Sequence, residues 1–236
     1  MSKLPILMYH NVTKKKNKSF GLTISTENLE KQFQFLANNN YKTFHLSEIE
    51  FVNNIPNKSI IITFDDVTLN QLEFAVPLLI KYNLKATFFV PFSFIGKSDL
   101  WNDGSEKIMN LEQLKSLSSL VELGLHSYSH QLFEKLSKKE ILEDFEQCFE
   151  IIEKNKLQVY KAVAYPFGNY PKNEPEKSRF FDILKEKNIK MGLRIGNKIN
   201  KFPFKNLYEL TRIDILGQDQ LWKFRLKLIF GKLKFF

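Results

Sequence analysis

An α/β architecture built on a mostly parallel sheet or barrel is predicted by three features of this 236-residue sequence. Short β-like runs alternate with amphipathic helical stretches along the whole chain, the signature of βα units. The run Ser59-Ile-Ile-Ile-Thr63 is apolar without alternation, as expected of a central strand buried on both faces. Polar clusters follow such runs directly instead of interrupting them.

Each element has its own justification. Residues 4–9 read as a first buried strand. Residues 26–37 place Leu29, Phe33 and Leu36 at helical spacing. After the strand at 59–63 comes a helix over 69–82, in which Pro77 should force a kink or a late start. Residues 86–90 form the next strand, 111–118 a short helix and 121–125 another strand. Ser137 and Glu140 form a capping box, and Ile141, Phe145, Cys148 and Ile152 make the apolar stripe behind it. Cys148 on that stripe is a core residue. Strands at 160–164 and 190–193 flank a helix near 176–188, and 210–215 is the last strand. His45 lies in a polar turn and reads as structural, and the KKKNK stretch at 14–18 as a charged loop.

Composition bounds the function. With 43% hydrophobic and 26% charged residues the chain is globular, not disordered, collagen-like or a disulfide scaffold. Its length fits one large domain or two small ones, and no repeat or linker divides it. One cysteine excludes an intrachain disulfide and CxxC zinc sites, so any metal must be held by histidine and carboxylate. The net charge of +9 comes almost wholly from lysine; Arg179, Arg194, Arg212 and Arg225 are the only arginines. A lysine-rich solvated surface explains this better than nucleic-acid binding, which favours arginine. No run approaches the ~18 apolar residues of a membrane span, and the N-terminal apolar run is too short for a signal peptide. The expected location is cytoplasmic, with peripheral contact at the inner membrane face as a variant.

Three clusters carry the chemistry. Asp65 and Asp66 follow the buried strand, where paired carboxylates are costly unless neutralised. Neighbours at a strand end point to different sides, so one carboxylate can ligate a metal and the other handle protons. The simpler alternative makes Asp66 a helix N-cap. His126 and His130 follow the strand at 121–125; at i, i+4 on a helical turn both imidazoles would share one face. The third cluster, Ala162 to Tyr170 with Pro166 and Gly168, is a rigid turn able to present a backbone N–H. One Asp and two His leave a coordination position open, the format of a catalytic zinc site.

In this order the clusters TFDD (63–66), HSYSH (126–130) and AYPFG (164–168) resemble the NodB-type polysaccharide deacetylases, as does the strand Leu84-Lys-Ala-Thr-Phe-Phe-Val90. The resemblance runs from about residue 6 to 215. It implies a deformed (β/α) barrel of about seven strands over residues 1–217. It implies Asp65 as general base and Asp66, His126 and His130 as metal ligands. It implies the Tyr165 amide as an oxyanion donor. The metal implied is Zn²⁺, with Co²⁺, Ni²⁺ or Mn²⁺ as other divalent candidates. Three features depart from the pattern: Val67 stands where glycine is usual, the early arginine of the third motif is missing, and no histidine follows His130. The branch similar to biofilm poly-N-acetylglucosamine deacetylases looks circularly permuted and offers a repair. There His10, in Met8-Tyr9-His10, would be the general acid, and Arg212 would brace Asp65.

The activity so implied is metal-dependent N-deacetylation of an amino-sugar glycan or lipid-linked sugar, releasing acetate. An O-deacetylase or deformylase of the same mechanism, or a non-catalytic glycan-binding barrel, remains open. Residues 218–236 are basic and aromatic, suited to an anionic membrane surface or to packing across the barrel.

Overall fold

The computed structural model describes residues 2–231. Seven parallel strands close into a barrel in sequence order: β1 (Ile6–Tyr9), β2 (Ser59–Asp65), β3 (Ala86–Val90), β4 (Val121–Leu125), β5 (Val159–Ala164), β6 (Met191–Ile195) and β7 (Leu210–Asp214). Closure is made at β1, which pairs with β2 on one side (Met8 opposite Thr63) and β7 on the other (Leu7 opposite Ile213). All polar ends therefore emerge at one rim, the C-terminal face where barrels of this kind place their sites.

The unbroken apolar run predicted β2 correctly because both its faces are covered. Ile60, Ile62 and Phe64 belong to the large outer core beneath the helices, while Ile61 belongs to the smaller core inside the barrel. Strand periodicity then places Thr63 and Asp65 on the inward side with Ile61. In β7 the same alternation sets Leu210 and Arg212 inward and Ile213 outward. A buried arginine and a buried aspartate thus meet at the barrel mouth.

Helices α1 (Thr26–Asn38), α2 (Leu46–Glu50), α3 (Val76–Lys81), α4 (Leu111–Lys115), α5 (Lys138–Asn155), α6 (Glu176–Glu186) and α7 (Leu221–Phe230) complete the layers. The expected helix over 69–82 forms as one continuous helical run over 69–81; its turn over Gln71–Ala75 is a wide π turn that leads into α3, and Pro77 follows that widened turn directly. Helix α4 stops at Lys115, shorter than its sequence pattern. Ser137 caps α5 as predicted, donating and accepting through the Glu140 box, and Cys148 is fully buried. His45 precedes α2, with its amide donating to Glu48, and its Nε2 lies 3.0 Å from the Leu120 carbonyl.

Helix α7 packs on the barrel through Phe224 and Leu228, and Phe224 meets Phe35 of α1 edge-on at 6.3 Å. Its buried Lys227 donates to the Asp214 carbonyl at 2.6 Å and pairs with Asp219. Trp222, Ile229 and Phe230 remain exposed. Residues 232–236 of the basic tail lie outside the described residues. Among the described residues no helix is long and apolar enough to cross a membrane.

Candidate active site

Asp65 ends β2 with its carboxylate turned into the barrel. Arg212 grips it with two parallel bonds, Nη1 to Oδ1 at 2.5 Å and Nη2 to Oδ2 at 2.8 Å. Nη1 also reaches Thr63 Oγ1 at 3.3 Å, and the guanidinium lies over the Phe89 ring at 5.4 Å. This planar fork is the geometry arginine offers and lysine does not. Burial raises the cost of the Asp65 charge. The guanidinium first, then His126 and His10, more than offset it and hold the carboxyl well below its usual range. His10, immediately after β1, brings Nε2 to 3.5 Å from Asp65 Oδ2. Arg212, expected to brace Asp65, and His10, expected as general acid, therefore both lie beside it.

Asp66 points elsewhere. Its backbone is left-handed (φ 77°), as is that of Val67 (φ 44°), so the chain turns sharply between the two carboxylates. Oδ1 of Asp66 lies 3.5 Å from Nε2 of His126 and 3.4 Å from Nε2 of His130. It caps no helix, because the next helical residues begin only at Leu69, with Thr68 standing directly before them.

His126 and His130 converge, but not on a helical turn as their spacing suggests. Residues 126–130 form a loop in which Ser127 (φ 66°) and His130 (φ 53°) are left-handed. The loop is wrapped around the buried carboxylate of Asp144 in α5. Asp144 accepts from Ser127 Oγ, Tyr128 N, Ser129 N and Ser129 Oγ at 2.9–3.1 Å. Sequence reading missed Asp144. Its signal was a charged residue between Ile141, Phe145 and Cys148 on the apolar stripe of α5.

The donor set fits a metal ion. Ligand atoms of Asp66, His126 and His130 lie within 4.8 Å of one another, and all three residues are buried. Asp66 Oδ1 is buried yet accepts no hydrogen bond among the described residues, which is costly without a cation. Nδ1 of His126 lies 2.8 Å from the Ala164 carbonyl; donating there leaves Nε2 free as a ligand. Burial pushes the His126 imidazole down to about 4 against the pull of Asp65, so the neutral, ligating form prevails at neutral pH.

Tyr165 must be corrected. Its amide donates to the Leu193 carbonyl at 2.9 Å, continuing the β5–β6 ladder, and so is not available to an oxyanion. Its buried hydroxyl donates to the Tyr208 carbonyl. Phe167, two residues on, lines the cavity instead. Its backbone is left-handed (φ 57°), and among the described residues its amide has no acceptor. Gly168 permits this turn: a Cβ there would lie 2.8 Å from the Ile195 backbone nitrogen.

The groups share one cavity of about 540 Å³, lined by His10, Asp65, Asp66, His126, His130 and Phe167 on the barrel side. Asp99, Trp101 and Asn102 close its other side, from a segment that no sequence motif marked.

Residues 53–183 match the polysaccharide deacetylase family. The chain is 26% identical to the YxkH protein of Bacillus subtilis (strain 168), over 72% of this chain and 58% of that protein. It is 24% identical to the poly-β-1,6-N-acetyl-D-glucosamine N-deacetylase of Staphylococcus aureus (strain MSSA476), over 81% of this chain and 67% of the relative. The chain thus spans about three-fifths to two-thirds of the length of these relatives. Among solved structures it is similar to the Streptococcus pyogenes deacetylase PplD in complex with acetate, with a TM-score of 0.79 and 25% identity over 96% of this chain and 98% of that one. The barrel, the order of its polar strand ends and these matches agree: the chain belongs to the polysaccharide deacetylase family.

Proposed function

We propose that this chain is a metal-dependent hydrolase that removes N-acetyl groups from an amino-sugar glycan, releasing acetate. One observation carries the reading: adjacent carboxylates in one cavity are divided, Asp65 neutralised by Arg212 and Asp66 set with two histidines. A glycan-binding barrel has no use for that division. The Staphylococcus aureus relative is named for a poly-β-1,6-N-acetyl-D-glucosamine substrate, which supports the same substrate class here.

Asp66, His126 and His130 would hold the ion, with Zn²⁺ suited to two imidazoles and a carboxylate. When bound, such an ion supplies positive charge that acidifies a water and polarises an acetamide carbonyl. Asp65, kept ionised by Arg212, accepts the proton of the attacking water as general base. Phe167 lines the cavity, and its amide, which has no partner among the described residues, donates to the developing oxyanion. His10 gives a proton to the departing amine; its contact with Asp65 at 3.5 Å keeps the imidazole oriented toward the same space. Acetate and a free amino sugar result.

The test is metal content per chain together with acetate release from N-acetylated glucosamine oligomers. About one zinc per wild-type chain, lost in His126→Ala along with acetate release, is the expected result. Wild-type protein that takes up no metal after zinc is added back overturns the reading.

A further inference from the structure

We propose that Trp101 is a positioning residue for His130, holding that imidazole by ring stacking where His126 is held by a hydrogen bond. The inference rests on the cation site proposed above. The two histidines are supported in different ways. His126 has the expected second contact, Nδ1 to the Ala164 carbonyl at 2.8 Å. Nδ1 of His130 is buried and has no hydrogen-bond partner among the described residues. A ligating histidine without such a partner lacks the contact that normally fixes its ring.

Rings take its place. The indole of Trp101 stacks on the His130 imidazole with centroids 3.8 Å apart and planes 23° from parallel. Phe167 meets the same imidazole at 4.9 Å, edge to face. Phe94 backs the indole at 4.8 Å and 87°. The imidazole is thus enclosed between two aromatic side chains from different loops, which limits its rotation about the Cβ–Cγ bond. Contacts of this geometry are favourable as well as confining.

The Trp101 segment is itself tied down. Asp99 is buried and organises it: Oδ1 accepts from Glu106 N at 2.8 Å and Oδ2 from Asn102 Nδ2 at 2.9 Å. The Asp99 carbonyl accepts from the amides of Asn102 and Gly104. At the base of the loop, Leu69 N donates to the Lys107 carbonyl and Met109 N to the Val67 carbonyl. These bonds join the tryptophan loop to the segment that follows the Asp pair. The indole is therefore held in register with Asp66, the third member of the ligand set.

The experiment measures Zn²⁺ affinity of the full chain by competition with a chromophoric chelator, for wild type, Trp101→Ala and Trp101→Phe. Thermal unfolding of each metal-free protein is measured alongside. Trp101→Ala should weaken zinc binding by about 10- to 100-fold, the usual loss when support of a ligating histidine is removed. Trp101→Phe should recover most of it, because a ring is restored without the indole nitrogen. The chain has two tryptophans, so a Trp222→Phe background makes Trp101 the sole indole reporter. In that background zinc should change the emission with the same midpoint as the chelator assay. Zinc affinity of Trp101→Ala within twofold of wild type overturns the proposal, as does Trp101→Phe binding as weakly as Trp101→Ala. If Trp101→Ala does not fold, an emission unchanged by saturating zinc overturns it. Wild-type protein that binds no zinc instead defeats the cation site itself, so the two failures are distinguishable.

Discussion

Asp65 and Asp66 are adjacent in sequence and both buried, yet their surroundings are opposite. Asp65 has both oxygens engaged by one guanidinium and its charge matched inside the fold. Among the described residues Asp66 Oδ1 has no hydrogen-bond partner, and it faces two imidazoles. The first carboxylate has its counter-charge within the chain; the second sits in a group that could hold a cation. Carboxylates of equal intrinsic acidity are thereby given different surroundings by what the strand end and the following turn put beside them. The lesson is that a DD pair at a strand end becomes informative only once its partners are known.

The largest expected effect breaks this division directly. Asp66→Ala should abolish zinc binding and with it acetate release. Asp65→Asn should keep about the wild-type zinc content while turnover falls by about 10²- to 10⁴-fold, the usual contribution of a general base. Metal content and acetate release measured on both variants decide the matter. Equal loss of metal from the two would mean that the carboxylates act as one ligand group.

Stability sharpens the contrast at a smaller scale. Arg212→Met leaves the Asp65 carboxylate buried without its counter-charge, which should cost about 3–5 kcal/mol. Asp66→Asn in metal-free protein removes a charge that lacks a full partner, so it should cost far less. Urea unfolding of both variants in the presence of a chelator compares them. A metal-free Asp66→Asn protein as unstable as Arg212→Met would show that Asp66 already has full compensation within the chain.

The seven strands were legible because burial on both faces imposes apolar runs on a parallel barrel. The grouping of Asp66, His126 and His130 was legible because all three lie just after those runs, and the structure brings their ligand atoms within 4.8 Å of one another. The rest depended on distant contacts. Asp144 shapes the histidine loop from another element, and only its place on an apolar stripe betrays it. Trp101 reaches His130 from a loop without a motif. The Tyr165 assignment failed for a related reason: spacing cannot tell which amide in a turn is free. The β5–β6 ladder runs one residue past the end of β5, so Tyr165 is committed to Leu193 and Phe167 is the first free amide after it.

The smallest effect concerns the turn that separates the carboxylates. Val67 is fully buried but holds φ at 44°, a conformation that disfavours a β-branched side chain. Two opposed quantities meet there. Burying the side chain is worth about 1.5–3 kcal/mol, while the left-handed backbone costs an L-residue about 1–2 kcal/mol. Val163 of β5 is equally buried but lies in a regular strand. At Val163 the change to Gly should be worse than the change to Ala by about 1–2 kcal/mol, since a methyl is lost and the unfolded chain gains freedom. At Val67 relief of the left-handed cost should cancel that gap, so Val67→Ala and Val67→Gly should unfold at nearly the same urea concentration. Both should retain zinc binding, because the turn is kept. An Ala-to-Gly gap at Val67 as wide as that at Val163 would mean that the valine is not strained, and that the turn dividing Asp65 from Asp66 is held by packing alone.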